Sequence, residues 1–223
     1  MQRVTAAYEA NLRGVIGMQR HFSTVIDAGL AKHTELSDSA ILFKDGAFED
    51  LQYYRVVEDG KDFSTEQLSD REKQASQGWS SGRVFFKEPY DRRFAVDYTF
   101  AATPCADCGP GMIAMKFASE KHDAQHGAGT MWIDTSSLRV VKLTYAPYVL
   151  PPHASTGTVT ETSGQALPNL WYVVKIDESY QGHVLLLHGS GTFIGVFDHF
   201  ARFGSVAEGA SAVRDGTVGT TKS

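Results

Sequence analysis

The run Ala40-Ile41-Leu42-Phe43-Lys44-Asp45-Gly46 is the most informative stretch of the chain. Four β-prone apolar residues lead into an Asp-Gly pair, and a second β-prone run, with Phe48, Leu51, Tyr53, Tyr54, Val56 and Val57, leaves it. Asp-Gly between two such runs is the strongest short hairpin signal, because Gly takes the positive φ of the tight turn at little cost. The returning run ends at a second Asp-Gly, Asp59-Gly60.

Upstream of this hairpin, Phe22, Thr24 and Ile26 alternate with polar neighbours, the period of a half-buried strand. Before them Val4, Tyr8 and Leu12 recur every four residues with Ala7 between, drawing one apolar stripe on a helix that Gly14 stops. Downstream, 64–77 breaks the β pattern. Ser64 and Gln67 fit a capping box, and Leu68 and Ala75 share one face of a highly charged helix that ends at Gly78. Its thin stripe suits a surface helix or a mobile lid.

From Gly82 onward the pattern is a β meander. Val84-Phe85-Phe86 precedes a turn at Pro89-Tyr90-Asp91, and Phe94, Val96, Tyr98 and Phe100 then alternate with Ala95, Asp97, Thr99 and Ala101. Further strands are expected at 112–118, 130–134, 138–145, 170–176, 183–188 and 192–203. The stretch 147–169, with Pro147, Pro151, Pro152 and Pro168 at its ends, reads as the longest loop. Residues 208–223 hold Gly209, Gly216 and Gly219 and no large aromatic, so a single domain over 1–208 with a flexible tail over 209–223 is expected.

Two helices and about ten sequential strands predict an α+β, mainly antiparallel fold. A sheet of that many strands must curl or split, and a strongly curved sheet whose concave face is covered by helices satisfies this most simply.

Composition excludes several classes. With 42% hydrophobic and 21% charged residues in 223, the chain can bury a core and is not disordered. A formal charge of −5 disfavours wide phosphate contact, and with it nucleic-acid binding. No stretch approaches the roughly 18 to 20 apolar residues that span a bilayer. None near Met1 has the apolar core of about 7 to 15 residues that a secretory leader carries, which leaves a cytoplasmic protein or one whose leader has been removed.

The chemistry-bearing motifs are incomplete. Cys105 and Cys108 with His122 and His126 spell C-x2-C-x13-H-x3-H, near the zinc-finger template. The segment between them reads as a strand, and seven extended residues would hold the two halves roughly 20 Å apart, too far for one ion. No metal is expected there. The two thiols would bridge locally if the protein is exported and stay reduced if it is not. A redox dithiol is disfavoured because no helix follows the Cys pair to lower a thiol pKa. Ser190 in Gly189-Ser190-Gly191, with His188 and Asp198-His199 nearby, lacks the G-x-S-x-G spacing of a nucleophile elbow and reads as a turn. Without a G-x-G-x-x-G or a P-loop, no cofactor is expected. The expectation is a protein that is not an enzyme.

Three passages carry a family resemblance. Tyr54-Arg55-Val56-Val57-Glu58-Asp59-Gly60-Lys61 with Phe63-Ser64 is one. Gly129-Thr130-Met131-Trp132-Ile133-Asp134-Thr135 with Leu138-Arg139-Val140 is the second, and the segment from Gly191-Thr192-Phe193 to Arg202-Phe203 is the third. With the order of elements, these resemble the outer-membrane lipoprotein carrier and sorting superfamily of Gram-negative bacteria (LolA/LolB/RseB-like) over most of 4–203. The resemblance implies a half-open β-barrel in the periplasm or cell envelope, lidded by helices. Its apolar cavity would bind lipid or lipoprotein acyl chains for transport or sorting. It also implies an alternative, an envelope-stress sensor or interaction domain acting through a partner protein. Phe94, Val96, Tyr98, Phe100 and Trp132 are the expected cavity residues.

Overall fold

Both Asp-Gly turns form, with Asp45 and Gly46 at φ 51° and 78° and Asp59 and Gly60 at 49° and 79°. The computed structural model describes residues 1–29, 31–80, 86–105, 108–184 and 187–220. Its first half runs α1 (Gln2–Asn11), β1 (Val15–Asp27), β2 (Lys32–Lys44), β3 (Ala47–Glu58), β4 (Lys61–Asp62) and α2 (Thr65–Ser80). A 3-10 turn at Ala95–Asp97 precedes β5 (Tyr98–Thr103), β6 (Met112–Ser119), β7 (Gly127–Asp134) and β8 (Arg139–Pro147). The chain closes with β9 (Ala154–Leu167), β10 (Leu170–Val184), β11 (Leu187–Phe203) and α3 (Val206–Arg214).

All eleven strands form one sheet in the order β4-β3-β2-β1-β11-β10-β9-β8-β7-β6-β5. Every pair is antiparallel, and β1 pairs with β2 from Val15↔Lys44 to Asp27↔Lys32 without a slip. β4 and β5 are the two edges, so the sheet is curled but not closed: an α+β half-open barrel, as the sequence predicts. The one departure from sequential order is that β11 returns to lie beside β1. The chain must therefore cross from edge β4 to the opposite edge β5, and it does so over the concave face. α2 packs on β3, and residues 86–94 roof the hollow. The capping box of α2 is present in both directions. Ser64 N–H donates to Gln67 Oε1 at 2.8 Å and Gln67 N–H to Ser64 Oγ at 3.3 Å.

Strand alternation sorts the core into two sides. Ile16, Met18, Ile41, Phe43 and Tyr53 face the concave side, where α2 adds Leu68 and Ala75. Val15, Ala40 and Leu42 face the convex side and pack against Val213 and Val218. On the far wing α1 sets Val4 and Tyr8 against Phe117, Met131, Leu143 and Tyr145. The helix is tied down at its end, where Trp171 N–H donates to Asn11 Oδ1 at 2.6 Å and Asn11 Nδ2 donates back to the Trp171 carbonyl.

The structure departs from the expected elements in five places. Of the tail expected over 209–223, residues 209–220 are described, and 209–214 belong to α3. Ser205 caps α3 by accepting from Glu208 N–H, and Val213 and Val218 are fully buried against the convex sheet face, so a few small apolar residues meet a ready-made surface. The loop expected over 147–169 contains the 14-residue strand β9. Its β-branched Thr156, Thr158, Thr160 and Thr162 alternate with residues that include buried Val159 and Glu161, a strand pattern written in polar letters. The strand expected from Phe94 begins only at Tyr98, because Asp91 accepts backbone bonds from Phe94 and Ala95 and winds 91–97 into turns. β10 and β11 pair through Val184↔Leu187, so His183 faces His188 across two strands and 189–191 lie within β11 rather than in a turn. α2 also runs past Gly78 to Ser80. The expected β residues Val84 and Phe85 lie outside the described residues.

Candidate ligand cavity

Between the two concave core clusters the sheet leaves a hollow of about 910 Å³ that its own side chains do not fill. β1 supplies Met18, Arg20 and Phe22, and β11 supplies Phe193 and Phe197. These are alternate positions on neighbouring strands, so the rings meet: Phe22 lies 5.0 Å from Phe193 and 5.8 Å from Phe197. α1 and its C-cap close one side with Val4, Tyr8 and Leu12, α2 contributes Ala75, and Phe86 to Phe94 forms the roof. That roof is fixed by aromatic contact and by backbone. Phe86 stacks on Tyr145 at 3.7 Å, Lys87 N–H donates to the Gln125 carbonyl at 2.8 Å, and Tyr8 meets Tyr90 edge-on at 4.8 Å.

The walls are mainly apolar, with Lys87, Asp91, Arg93, Arg139 and Glu178 among the charged residues on the lining, and two polar points are buried most deeply. Arg20 is 3% exposed, donates to Ser39 Oγ through Nε (3.3 Å) and Nη2 (3.1 Å), and lies over the Phe22 ring. Burial pushes its pKa down to about 10, so it still carries its charge at neutral pH. The second point is a pair of carboxyls, Glu88 on the roof and Glu161 on β9. Burial first, and then the proximity of Glu161, pushes Glu88 well above the usual carboxylate range. Burial also raises Glu161, partly offset by hydrogen bonds from Glu88 and from Tyr145, whose Oη donates to Glu161 Oε1 at 3.3 Å. Glu88 Oε2 and Glu161 Oε2 are buried without a hydrogen-bond partner. A proton held between the two carboxyls removes the repulsion that two charged carboxylates would feel in a low-dielectric wall.

Phe94, Val96, Tyr98, Phe100 and Trp132, the expected cavity residues, take different places in the structure. Phe94 lies on the wall, with Lys87 and Arg93 at 5.7 and 5.2 Å from its ring centre. Val96 sits in the 3-10 turn and is 86% exposed. Tyr98 and Phe100 plug the far end of the trough: Tyr98 is buried against Phe117, and its Oη donates to the Lys87 carbonyl at 2.5 Å. Trp132 alternates with the core residues Met131 and Ile133 and so faces outward, under Lys142 at 5.0 Å. The edge strands fill their own concavity, and the hollow opens nearer the middle of the sheet.

The Cys and His residues of the zinc-like motif are not brought together. Cys105 and Cys108 are joined in a disulfide. His122 stacks on Tyr148, and His126 is fully buried between Asp123 (2.6 Å) and Asp97 (3.3 Å) beyond the far end of β6. Ser190 has no triad around it, since His188 pairs with His183 and Asp198 lies eight residues along the strand, bonded to His21 and His199. Among the described residues no helix is long and apolar enough to cross a membrane.

No protein-family model matches the chain, and no curated protein matches it at a significant level. Solved structures of similar outline include a domain described as an outer membrane lipoprotein-sorting protein from Vibrio parahaemolyticus, at 12% identity, covering 96% of this chain and 97% of that one, with a TM-score of 0.44. A LolA superfamily protein from Nitrosomonas europaea is similar at 10% identity, 93% and 95% coverage and a TM-score of 0.41. A DUF1329 family protein from Desulfovibrio piger is similar at 11% identity, 95% and 96% coverage and a TM-score of 0.45.

Proposed function

We propose that the protein binds an acyl chain or comparable lipid tail in the cavity and carries it without making or breaking a bond. The observation that supports this most is the hollow itself, about 910 Å³ between sheet and roof and lined mainly by aromatic and aliphatic side chains. That is within the range of small-molecule sites, roughly 300 to 1,000 Å³. Each methylene withdrawn from water is worth about 0.8 kcal/mol, so a tail gains affinity in such a trough without a polar anchor. The resemblance to the lipoprotein carrier superfamily supports the same reading and a periplasmic or envelope location. The Cys105–Cys108 bridge fits an oxidising compartment of that kind.

The test is native mass spectrometry of gently purified protein, followed by titration of the delipidated protein with a fluorescent fatty acid. Co-purifying lipid, or saturable uptake of one or two tails, is expected. An apo mass together with no uptake would overturn the proposal.

A further inference from the structure

Between the pairs Gly17↔Ala201 and Gln19↔Asp198, strand β11 holds one residue more than β1. At this bulge His199 takes a left-handed backbone, φ 47°, a conformation that is uncommon outside glycine. Bulges re-aim side chains. In an unbroken strand Asp198 and His199 would face opposite sides of the sheet. Here they meet, with His199 Nδ1 2.7 Å from Asp198 Oδ1, while Phe197 and Phe200 both keep to the concave core. From the neighbouring strand His21 Nε2 approaches the same Asp198 oxygen at 3.2 Å. The other ring nitrogen of His21, Nδ1, lies 2.7 Å from Asp38 Oδ1 on β2. All four residues stand on the convex face, back to back with the cavity-lining Arg20, Phe22 and Phe197.

We propose that His21 Nε2, the Asp198 carboxylate and His199 Nδ1 form a binding site for a divalent metal ion of the zinc class, with Asp38 as the outer carboxylate that orients His21. One ligand atom from each of the three residues lies within 4.8 Å of the others. In a tetrahedral zinc site with bonds of about 2.0 to 2.2 Å, neighbouring ligand atoms stand roughly 3.3 Å apart. The His21–Asp198 edge already has that length, and small rotations of partly exposed rings supply the rest. With Nδ1 donating to Asp38, the Nε2 of His21 would give up its contact with Asp198 and turn its lone pair to the metal when one binds. A carboxylate behind a histidine is the usual support of a metal-bound imidazole. Two imidazoles and one carboxylate suit zinc and its neighbours better than magnesium or calcium, which prefer an all-oxygen shell. Three protein ligands leave a fourth position for water or an exogenous group. The side chains of His21, Asp198 and His199 are 40, 42 and 50% exposed, so that position is open to solvent. The left-handed bulge position, which glycine would occupy at less cost, is what brings the His199 ring to Asp198.

The test is calorimetric titration of the chelator-stripped full chain with zinc chloride, and with magnesium chloride in parallel. One zinc per chain and no magnesium uptake are expected at this site. His199→Gly keeps the bulge and removes only the ring. It should fold at least as stably by thermal melt and lose zinc affinity at least tenfold. Asp38→Asn should weaken zinc roughly 10- to 100-fold, as outer carboxylates do. Absence of zinc binding by the wild type, or binding by His199→Gly as tight as wild type, would overturn the site. Unchanged affinity in Asp38→Asn would overturn the role given to Asp38.

Discussion

The carboxyl groups of Glu88 and Glu161 hydrogen-bond each other on the cavity wall, so the pair holds a proton at a pH where separate glutamates in water would hold none. The folded chain therefore binds more protons than the unfolded chain above the ordinary glutamate range. Stability falls as pH rises through that interval, and below it the pair contributes no pH dependence. Each unit of raised pKa corresponds to about 1.4 kcal/mol, so the wild type should lose roughly 1 to 3 kcal/mol between pH 5 and pH 8 on account of this pair. Glu161→Gln should flatten that part of the slope. His21, whose pKa is also raised, declines in the same direction, so the difference between wild type and variant is the quantity to read from urea midpoints. A variant slope as steep as wild type would show that the pair does not share its proton.

Phe193 and Phe22 form one side of the trough, 5.0 Å apart. Phe193→Asp would set a carboxylate among aromatic rings where the proposed tail would lie. Fatty-acid affinity should drop by about tenfold or more, each tenfold being about 1.4 kcal/mol, with the circular dichroism of the sheet unchanged. Uptake equal to wild type would place the tail elsewhere.

The C-terminal segment should matter to stability as much as a core strand does. Val218 is fully buried against the convex face. Val218→Ala should cost about 1 to 3 kcal/mol in urea unfolding, the range for removing two buried methyl groups together with the gap they leave. An effect within error would mean that the segment is detached in solution.

The start of α2 rests on one reciprocal pair of bonds. Ser64→Ala removes the side-chain acceptor for Gln67 N–H and should lower stability by about 1 kcal/mol, with faster proteolysis between Thr65 and Ser80. Unchanged proteolysis would show that packing alone holds the helix.

The local grammar of the chain was readable, and its curvature was not. Asp45-Gly46, Asp59-Gly60 and Ser64/Gln67 name a turn or cap by chemistry confined to four residues, and each forms. β9 escaped because the hydrophobic alternation sought there is written in threonine, and because its inward position Glu161 carries a charge-bearing side chain whose burial depends on Glu88 73 positions away. The helix at 206–214 escaped because Val213 and Val218 have value only against a sheet face assembled from distant strands. Cavity residues are harder still. Tyr98 and Phe193 are equally good inward strand residues, and only the curl of the whole sheet makes one a plug and the other a wall. A period-two reading of Phe193 and Phe197 opposite Phe22 would have found the wall once β1 and β11 were known to be neighbours.

β4 and β5 never meet. A closed barrel has its bore set by strand number and stagger, and widening it means breaking a ladder. Here the two margins can draw apart by a slight relaxation of twist spread over eleven strands, with every interstrand bond kept. The girth of the trough is thus adjustable, and under the proposed function tails of different length or number would fit one and the same protein.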